Sequence, residues 1–227
     1  MIPIWTETPQ TPPLTEQTPQ TARATPLEGA VIALDADNVL LDYSLAYAAA
    51  WERAFQTRPV ERDPQAYWPI DRWGVERLEG ERLETFRACF DEEFWSTIPA
   101  VDGAVQACRD LASAGYTLVC VSAIHPAYEG ARLRNLQSLG FPIARVIATG
   151  SSAEAGNPKA SAINELAPAA FVDDYLPYLT GIRPEIHTAL VHRQRNGSPN
   201  RGPQLVHAKS QHANLAHFAH WWLALPG

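Results

Sequence analysis

Long hydrophobic runs are missing from this chain, and so is any block of positive charge. No apolar run among the 227 residues approaches the length that crosses a bilayer, and the N-terminus lacks the basic-then-apolar start of an export signal. A membrane partner is therefore not expected, and the expected location is cytoplasmic. Lysine and arginine number 18 against 25 aspartates and glutamates, a formal net charge of -7 with no basic block. That argues against nucleic-acid polymers as partners, while a single phosphorylated nucleotide stays open as a ligand. Cysteine is scarce. Cys89, Cys108 and Cys120 are scattered and odd in number; Cys120 falls in a strand-like run and Cys108 in a helical pattern, which reads as buried free thiols in a reducing compartment. No repeat of fixed period is present. What the chain does have is 46% hydrophobic residues, ample for one core or a core with a small accessory domain.

Residues 1–29 are dominated by Thr, Pro and Gln and cannot bury enough apolar surface to fold alone, so they read as an extended or disordered arm. The stretch that organises the rest is Val31 to Tyr43. It begins as a buried strand, Val31 to Leu34, and then places Asp35 and Asp37 where that strand should end. Residues two apart in an extended chain point to the same side. Two carboxylates so placed repel each other, unless they hold a hard cation such as Mg²⁺ or one keeps a proton. In an open parallel sheet, ligands bind outside the carboxyl ends of the strands, where this pair would sit.

Ser44 to Trp95 shows no strand pattern. Tyr47, Trp51 and Phe55 recur every four residues as one helical stripe, prolines interrupt around Tyr67-Trp68, and a second helical run spans roughly Val75 to Phe94. The segment 44–98 reads as a small all-helical insert whose aromatics mostly form its own core. From Pro99 helices and strands alternate. The expected strands are Tyr116–Val121, Ala144–Ala148, Ala169–Val172, Ala189–His192 and a short Gln204–His207. The helices are Asp102–Ala114, Tyr128–Leu139, Lys159–Leu166 and Asn214–Leu225. That alternation predicts an α/β fold with a doubly wound parallel sheet, built from 30–43 and 99–227.

Four features fall at the ends or starts of these elements: Asp35 and Asp37, then Ser122, then Lys159, then Asp173 and Asp174. Each alone has an ordinary explanation as a turn, cap or surface residue. Together they supply the parts of Mg²⁺-dependent phosphoryl transfer: a carboxylate nucleophile, a carboxylate for proton transfer, a hydroxyl and an ammonium for phosphate oxygens, and acidic metal ligands.

In this order the motifs resemble those of the haloacid dehalogenase superfamily of phosphohydrolases. Asp35-Ala-Asp37-Asn-Val-Leu resembles its first motif, Val119-Cys-Val-Ser122 its second, Lys159 its third and Phe171-Val-Asp173-Asp174 its fourth, with the helical insert where the family places a small cap. The resemblance implies that Asp35 attacks phosphorus and that Asp37 protonates the leaving oxygen, then activates water. It implies Mg²⁺ held by Asp35, the Asp37 carbonyl, and Asp173 or Asp174. Ser122 and Lys159 would bind the phosphate. The presence of Asp37 also argues against a dehalogenase, which needs no acid two residues after its nucleophile. One position departs from the pattern: Asn38 stands where the family usually has Gly, and Asn is the next best residue for positive φ.

The expected substrate is a small phosphomonoester. Phe94 to Ala104 and Asp37 to Tyr43 carry a weaker resemblance to 5'(3')-deoxyribonucleotidases. A base could stack on Tyr43, Tyr47, Trp51 or Trp95, each such contact contributing roughly 1–3 kcal/mol, and His125 follows the Ser122 strand in a loop beside the expected site. Phosphosugar or phosphoglycolate phosphatases, a phosphomutase, and a non-catalytic binding protein on the same fold remain alternatives. The oligomeric state is open.

Overall fold

A computed structural model describes residues 29–150 and 156–226. The Thr/Pro-rich arm expected at 1–29 therefore lies almost wholly outside the described residues.

Six strands form one parallel sheet in the order β3-β2-β1-β4-β5-β6: β1 Val31–Leu34, β2 Thr117–Ser122, β3 Ile143–Ala148, β4 Ala170–Asp173, β5 His187–Val191 and β6 Ser210–His212. The four central strands β2, β1, β4 and β5 are short and almost fully buried, as a sheet covered on both faces requires, whereas the edge strands β3 and β6 are more exposed. Their period of two divides the core. Ile32, Leu34, Leu118, Cys120 and Val172 face one apolar cluster, whereas Ala33, Val119, Val121 and Phe171 face the other. The first cluster is closed by α5 (Ala104–Ser113) and α8 (Leu215–Ala224) through Leu111 and Phe218, the second by α7 (Ala160–Leu166) through Ile163. The chain order turns back at β1, with β2 on one side and β4 on the other. This is the switch point at which an open parallel sheet leaves a crevice.

Between β1 and β2 the chain forms α1 (Tyr43–Phe55), α2 (Pro69–Arg72), α3 (Gly80–Arg87) and α4 (Glu92–Ser96) before α5. Asp42 caps α1 by accepting from the Leu45 amide at 3.0 Å, and Asp91 caps α4 by accepting from Phe94 at 3.0 Å. Trp51 meets Phe55 and Phe86 edge-on, with centroids 4.7 and 5.4 Å apart, and Tyr47 meets Phe86 at 5.0 Å. The Tyr47–Trp51–Phe55 stripe is thus the nucleus of this region. Helix α6 (Glu129–Ser138) packs against α4 from the sheet side.

Two local expectations need correction. Val75 to Phe94 is not one run: Gly80 enters α3 at φ +55°, and the Asp91 cap starts a new helix. Gln204–His207 is not a strand; Pro203 opens a 3-10 turn over Pro203–His207, and β6 forms three residues later. A proline cannot donate to a ladder, and Gly202 ahead of it turns the chain at φ +81°. All three cysteines are free and buried. Among the described residues no helix is long and apolar enough to cross a membrane.

Candidate active site

The polar residues gather where β1, β2 and β4 end. The pairing of Leu34 with Val172 sets Asp35 beside Asp173, and the Asp35 amide continues the ladder to the Val172 carbonyl at 2.9 Å. Lys159, the residue before α7, is fully buried and spans the two: its Nζ donates to Asp35 Oδ1 at 2.5 Å and to Asp173 Oδ2 at 2.7 Å. The other Asp173 oxygen accepts from the Tyr175 amide at 2.8 Å. Asp174, also buried, has an Oδ2 with no partner. One carboxylate oxygen from each of Asp35, Asp173 and Asp174 lies within 4.8 Å of the others.

Three carboxylates thus share one ammonium, which leaves two negative charges if all are ionised. The pKa directions follow from that surplus. Burial raises Asp35 well above the usual carboxylate range, Lys159 opposes the shift, and Asp173, Asp174 and Asp37 add to it. Burial also raises Asp173 against the pull of Lys159, and pushes Asp174 up to about 7 with the help of Asp173. For Lys159, burial works against the charge, but Asp173 and Asp35 outweigh it and raise the pKa. The cluster has more negative charge than its own cation can balance.

Asp37 is separate from this group. Its side chain is 26% exposed, and Oδ1 accepts from Arg132 Nη2 of α6 at 2.8 Å. Asn38 adopts φ +65°, the conformation for which Gly is the usual choice; its amide donates to the Leu41 carbonyl at 2.7 Å, and its side chain favours the charged form of Asp174. Ser122 ends β2, buried, with an Oγ that lacks a partner. A cavity of about 370 Å³ is lined by Asp35, Asp37, Asn38, Lys159 and Asp174 together with Tyr43, Tyr67, Trp68, Tyr175 and Tyr178. A hollow of about 380 Å³ beside α1 contains none of the acidic cluster.

Of the residues singled out in the sequence, Asp35, Asp37, Lys159, Asp173 and Asp174 meet here, with Ser122 at the neighbouring strand end. Tyr43 lines the cavity. Tyr47 does not; its ring packs on Phe86 and Phe90. His125 is spent locally, its Nδ1 accepting from the Ala127 amide at 3.2 Å to cap a 3-10 turn. Residues not anticipated are Arg132, Tyr67, whose hydroxyl donates to the Asp174 carbonyl at 3.2 Å, and Asn200, which donates to the same carbonyl at 2.6 Å and accepts from the Leu176 amide at 2.8 Å. Arg132 sits in an ordinary helical pattern and Asn200 in a Gly/Pro-rich loop, so neither carries a local signal.

No family model and no curated protein matches the chain. Solved structures do. A haloacid dehalogenase-like hydrolase from Streptococcus pneumoniae superposes with a TM-score of 0.58 at 15% identity, over 86% of this chain and 99% of that one. The L-2-haloacid dehalogenase from Xanthobacter autotrophicus, with chloropropionic acid covalently bound, gives 0.55 at 15% identity over 87% and 99%. A protein described as a phosphoglycolate phosphatase from Haemophilus somnus gives 0.53 at 12% over 86% and 99%. The chain has the haloacid dehalogenase-like fold. Within that fold, the β1, β2 and β4 tips carry the polar cluster described above.

The donor set fits a divalent cation. Its oxygens are hard ligands, they are close enough to share one ion, Asp174 Oδ2 is buried and unpartnered, and two surplus charges match the ion's own. Both Asp173 oxygens already have hydrogen-bond donors, which leaves Asp35 and Asp174 as the side chains best able to bind it.

Proposed function

We propose that the chain is a Mg²⁺-dependent hydrolase of small phosphomonoesters and a member of the haloacid dehalogenase superfamily. The observation that carries this reading is the three-to-one ratio of buried carboxylates to ammonium around Asp35. A halogenated acid is an anion, and a site with surplus negative charge repels it. A phosphate ester is also an anion, but one that arrives with a bound cation.

Asp35, Asp174 and the Asp37 carbonyl would hold Mg²⁺, with Asp173 aligning Lys159. When bound, the ion screens the phosphate from the carboxylates and polarises its oxygens. An Asp35 oxygen bonds to phosphorus as the ester P–O bond breaks. The electron pair passes to the leaving oxygen, which takes a proton from Asp37 and departs as an alcohol. Water then attacks the aspartyl-phosphate, gives its proton to Asp37, and releases phosphate and the Asp35 carboxylate. Lys159 and the Ser122 hydroxyl bind phosphate oxygens; the unpartnered Oγ suits that task. The insert 44–98 acts as the cap, a reading supported by Tyr67, Trp68 and Pro69, which line the cavity.

The test is hydrolysis of an aryl phosphate. Turnover should require Mg²⁺, disappear with EDTA and disappear in Asp35→Asn. Activity indifferent to both would overturn the reading. A panel of nucleoside monophosphates against sugar phosphates and phosphoglycolate then assigns the substrate.

A further inference from the structure

Arg132 is fully buried, yet only one of its three guanidinium nitrogens has a partner: Nη2 on Asp37 Oδ1, with Nε and Nη1 unpartnered. A buried guanidinium is costly to desolvate, and one placed for stability is expected to have its donors satisfied. The compensation here is the Asp37 carboxylate on one side and the Trp95 ring on the other, whose centroid lies 5.1 Å from the guanidinium carbon. Trp95 is itself held. Its Nε1 donates to the Phe90 carbonyl at 3.1 Å, and its ring stacks on Tyr43 at 6.4 Å with an interplanar angle of 27°. Tyr43 in turn lines the cavity. The charge of Arg132 is thus directed at one carboxylate oxygen. Asp37 lines the cavity, and its hydrogen bond to Arg132 uses Oδ1.

We infer that Arg132 is the positioning residue for Asp37: it grips Oδ1 from α6 against Trp95 of α4, so that the remaining oxygen is aimed at the leaving-group oxygen of the substrate. This rests on the phosphatase reading and adds to it. The cap helix α4 carries the ring that supports the proton-transfer group, which couples the insert to the chemistry.

Proton transfer matters most for poor leaving groups, which separates this role from a purely structural one. The experiment measures the rate of phosphoenzyme formation by rapid quench, with an alkyl phosphate and with p-nitrophenyl phosphate, in the wild type, Arg132→Met, Arg132→Lys, Asp37→Asn and the double variant Asp37→Asn/Arg132→Met. The alkyl rate should fall about tenfold or more in Arg132→Met, the low side of what general acids contribute. The aryl rate should fall less than about threefold by the same reasoning, with KM unchanged. Arg132→Lys should fall between wild type and Arg132→Met on the alkyl ester. The double variant should be no slower than Asp37→Asn alone, because both changes remove one function. Equal losses on both esters, an effect confined to KM, or additive losses would overturn the inference. If Arg132→Met does not fold, Arg132→Lys gives the same readout. A wild type that forms no phosphoenzyme at all would instead refute the phosphatase reading, and this inference with it.

Discussion

Among the described residues, the polar cluster at the strand tips and a partly buried one beside α8 differ in kind. At the tips of β1 and β4, three carboxylates surround one ammonium. Beneath α8, His187 and His212 both meet the Ser210 hydroxyl through Nε2, at 2.8 and 2.7 Å, among Trp221, Trp222 and Phe218. A hydroxyl has one proton to give, so at least one of those rings acts as acceptor and is neutral. Burial lowers His187 to about 4 and His212 to about 3, with Lys209 and His217 respectively adding to it. Each cluster has a buried atom without a partner, His212 Nδ1 in the second and Asp174 Oδ2 in the first. The lowered histidines of the second are neutral at pH 7, whereas the first, with its carboxylates ionised, carries charge that Lys159 cannot balance. Burial of polar groups is common to both, and unbalanced charge is what marks one of them as a site.

The comparison breaks most visibly if Asp35, the proposed nucleophile, can be removed without cost to activity. Asp35→Asn should lower turnover by at least about 10⁴-fold, on the scale of removing a nucleophile. It should also raise the melting temperature of the metal-free protein, since it removes one surplus charge. His212→Asn should leave the kcat on an aryl phosphate within about twofold, as expected for a residue outside the chemistry, and lower the melting temperature. Lys159→Met comes next. It should reduce kcat about 10³-fold, and because it strands buried carboxylates it should destabilise the metal-free protein by about 3–5 kcal/mol. Denaturant titration at pH 7.5 with and without Mg²⁺ checks this, and Mg²⁺ should recover more stability in the variant than in the wild type.

The pH dependences should have opposite signs. Asp174 is raised in the folded state, to about 7 from 3.8. The folded protein then holds more protons than the unfolded between these values, so this group's contribution to stability falls as pH rises from about 4 to 7. The histidines are lowered from 6.5. There the unfolded chain holds more protons, so their contribution rises as pH climbs from about 3 to 6.5 for His212 and from about 4 to 6.5 for His187. Mg²⁺ should therefore raise the melting temperature more at pH 7.5 than at pH 5. Asp174→Asn should abolish most of that difference, whereas His212→Asn should flatten the acid side and leave the Mg²⁺ effect intact. The smallest effect is expected at Asn38. Asn38→Gly keeps the φ +65° turn but loses the amide beside Asp174, so metal affinity should weaken about tenfold, at the lower end for a residue behind a ligand, as read by Mg²⁺ titration of activity.

These two clusters also show what could be read in the sequence. The acidic group was legible because strand ends are marked by a change from apolar to polar within one residue, as at Leu34-Asp35 and Val172-Asp173, and because parallel topology brings strand ends together. Lys159 was legible by its place before a helix, though nothing local distinguishes it from a solvated lysine. The grip of Arg132 on Asp37 crosses 95 residues, and a helical pattern with one Arg looks like any exposed face. The meeting of His187 and His212 was not legible, because it depends on the pairing of β5 with β6, and the pattern pointed to a strand at Gln204–His207 instead of Ser210–His212. The division of α3 from α4 was hidden in the same way: Gly80 and Asp91 are weak breaks until tertiary packing chooses between them.

The most direct measurement is the mass of the Asp35 peptide. In Asp37→Asn, where the proposed mechanism slows hydrolysis of the intermediate, enzyme mixed with an aryl phosphate and Mg²⁺ and then quenched in acid should carry one phosphoryl group on the peptide containing Asp35, and none when EDTA replaces Mg²⁺. A phosphoryl group on another residue, or an unmodified peptide from enzyme caught during turnover, would contradict the account.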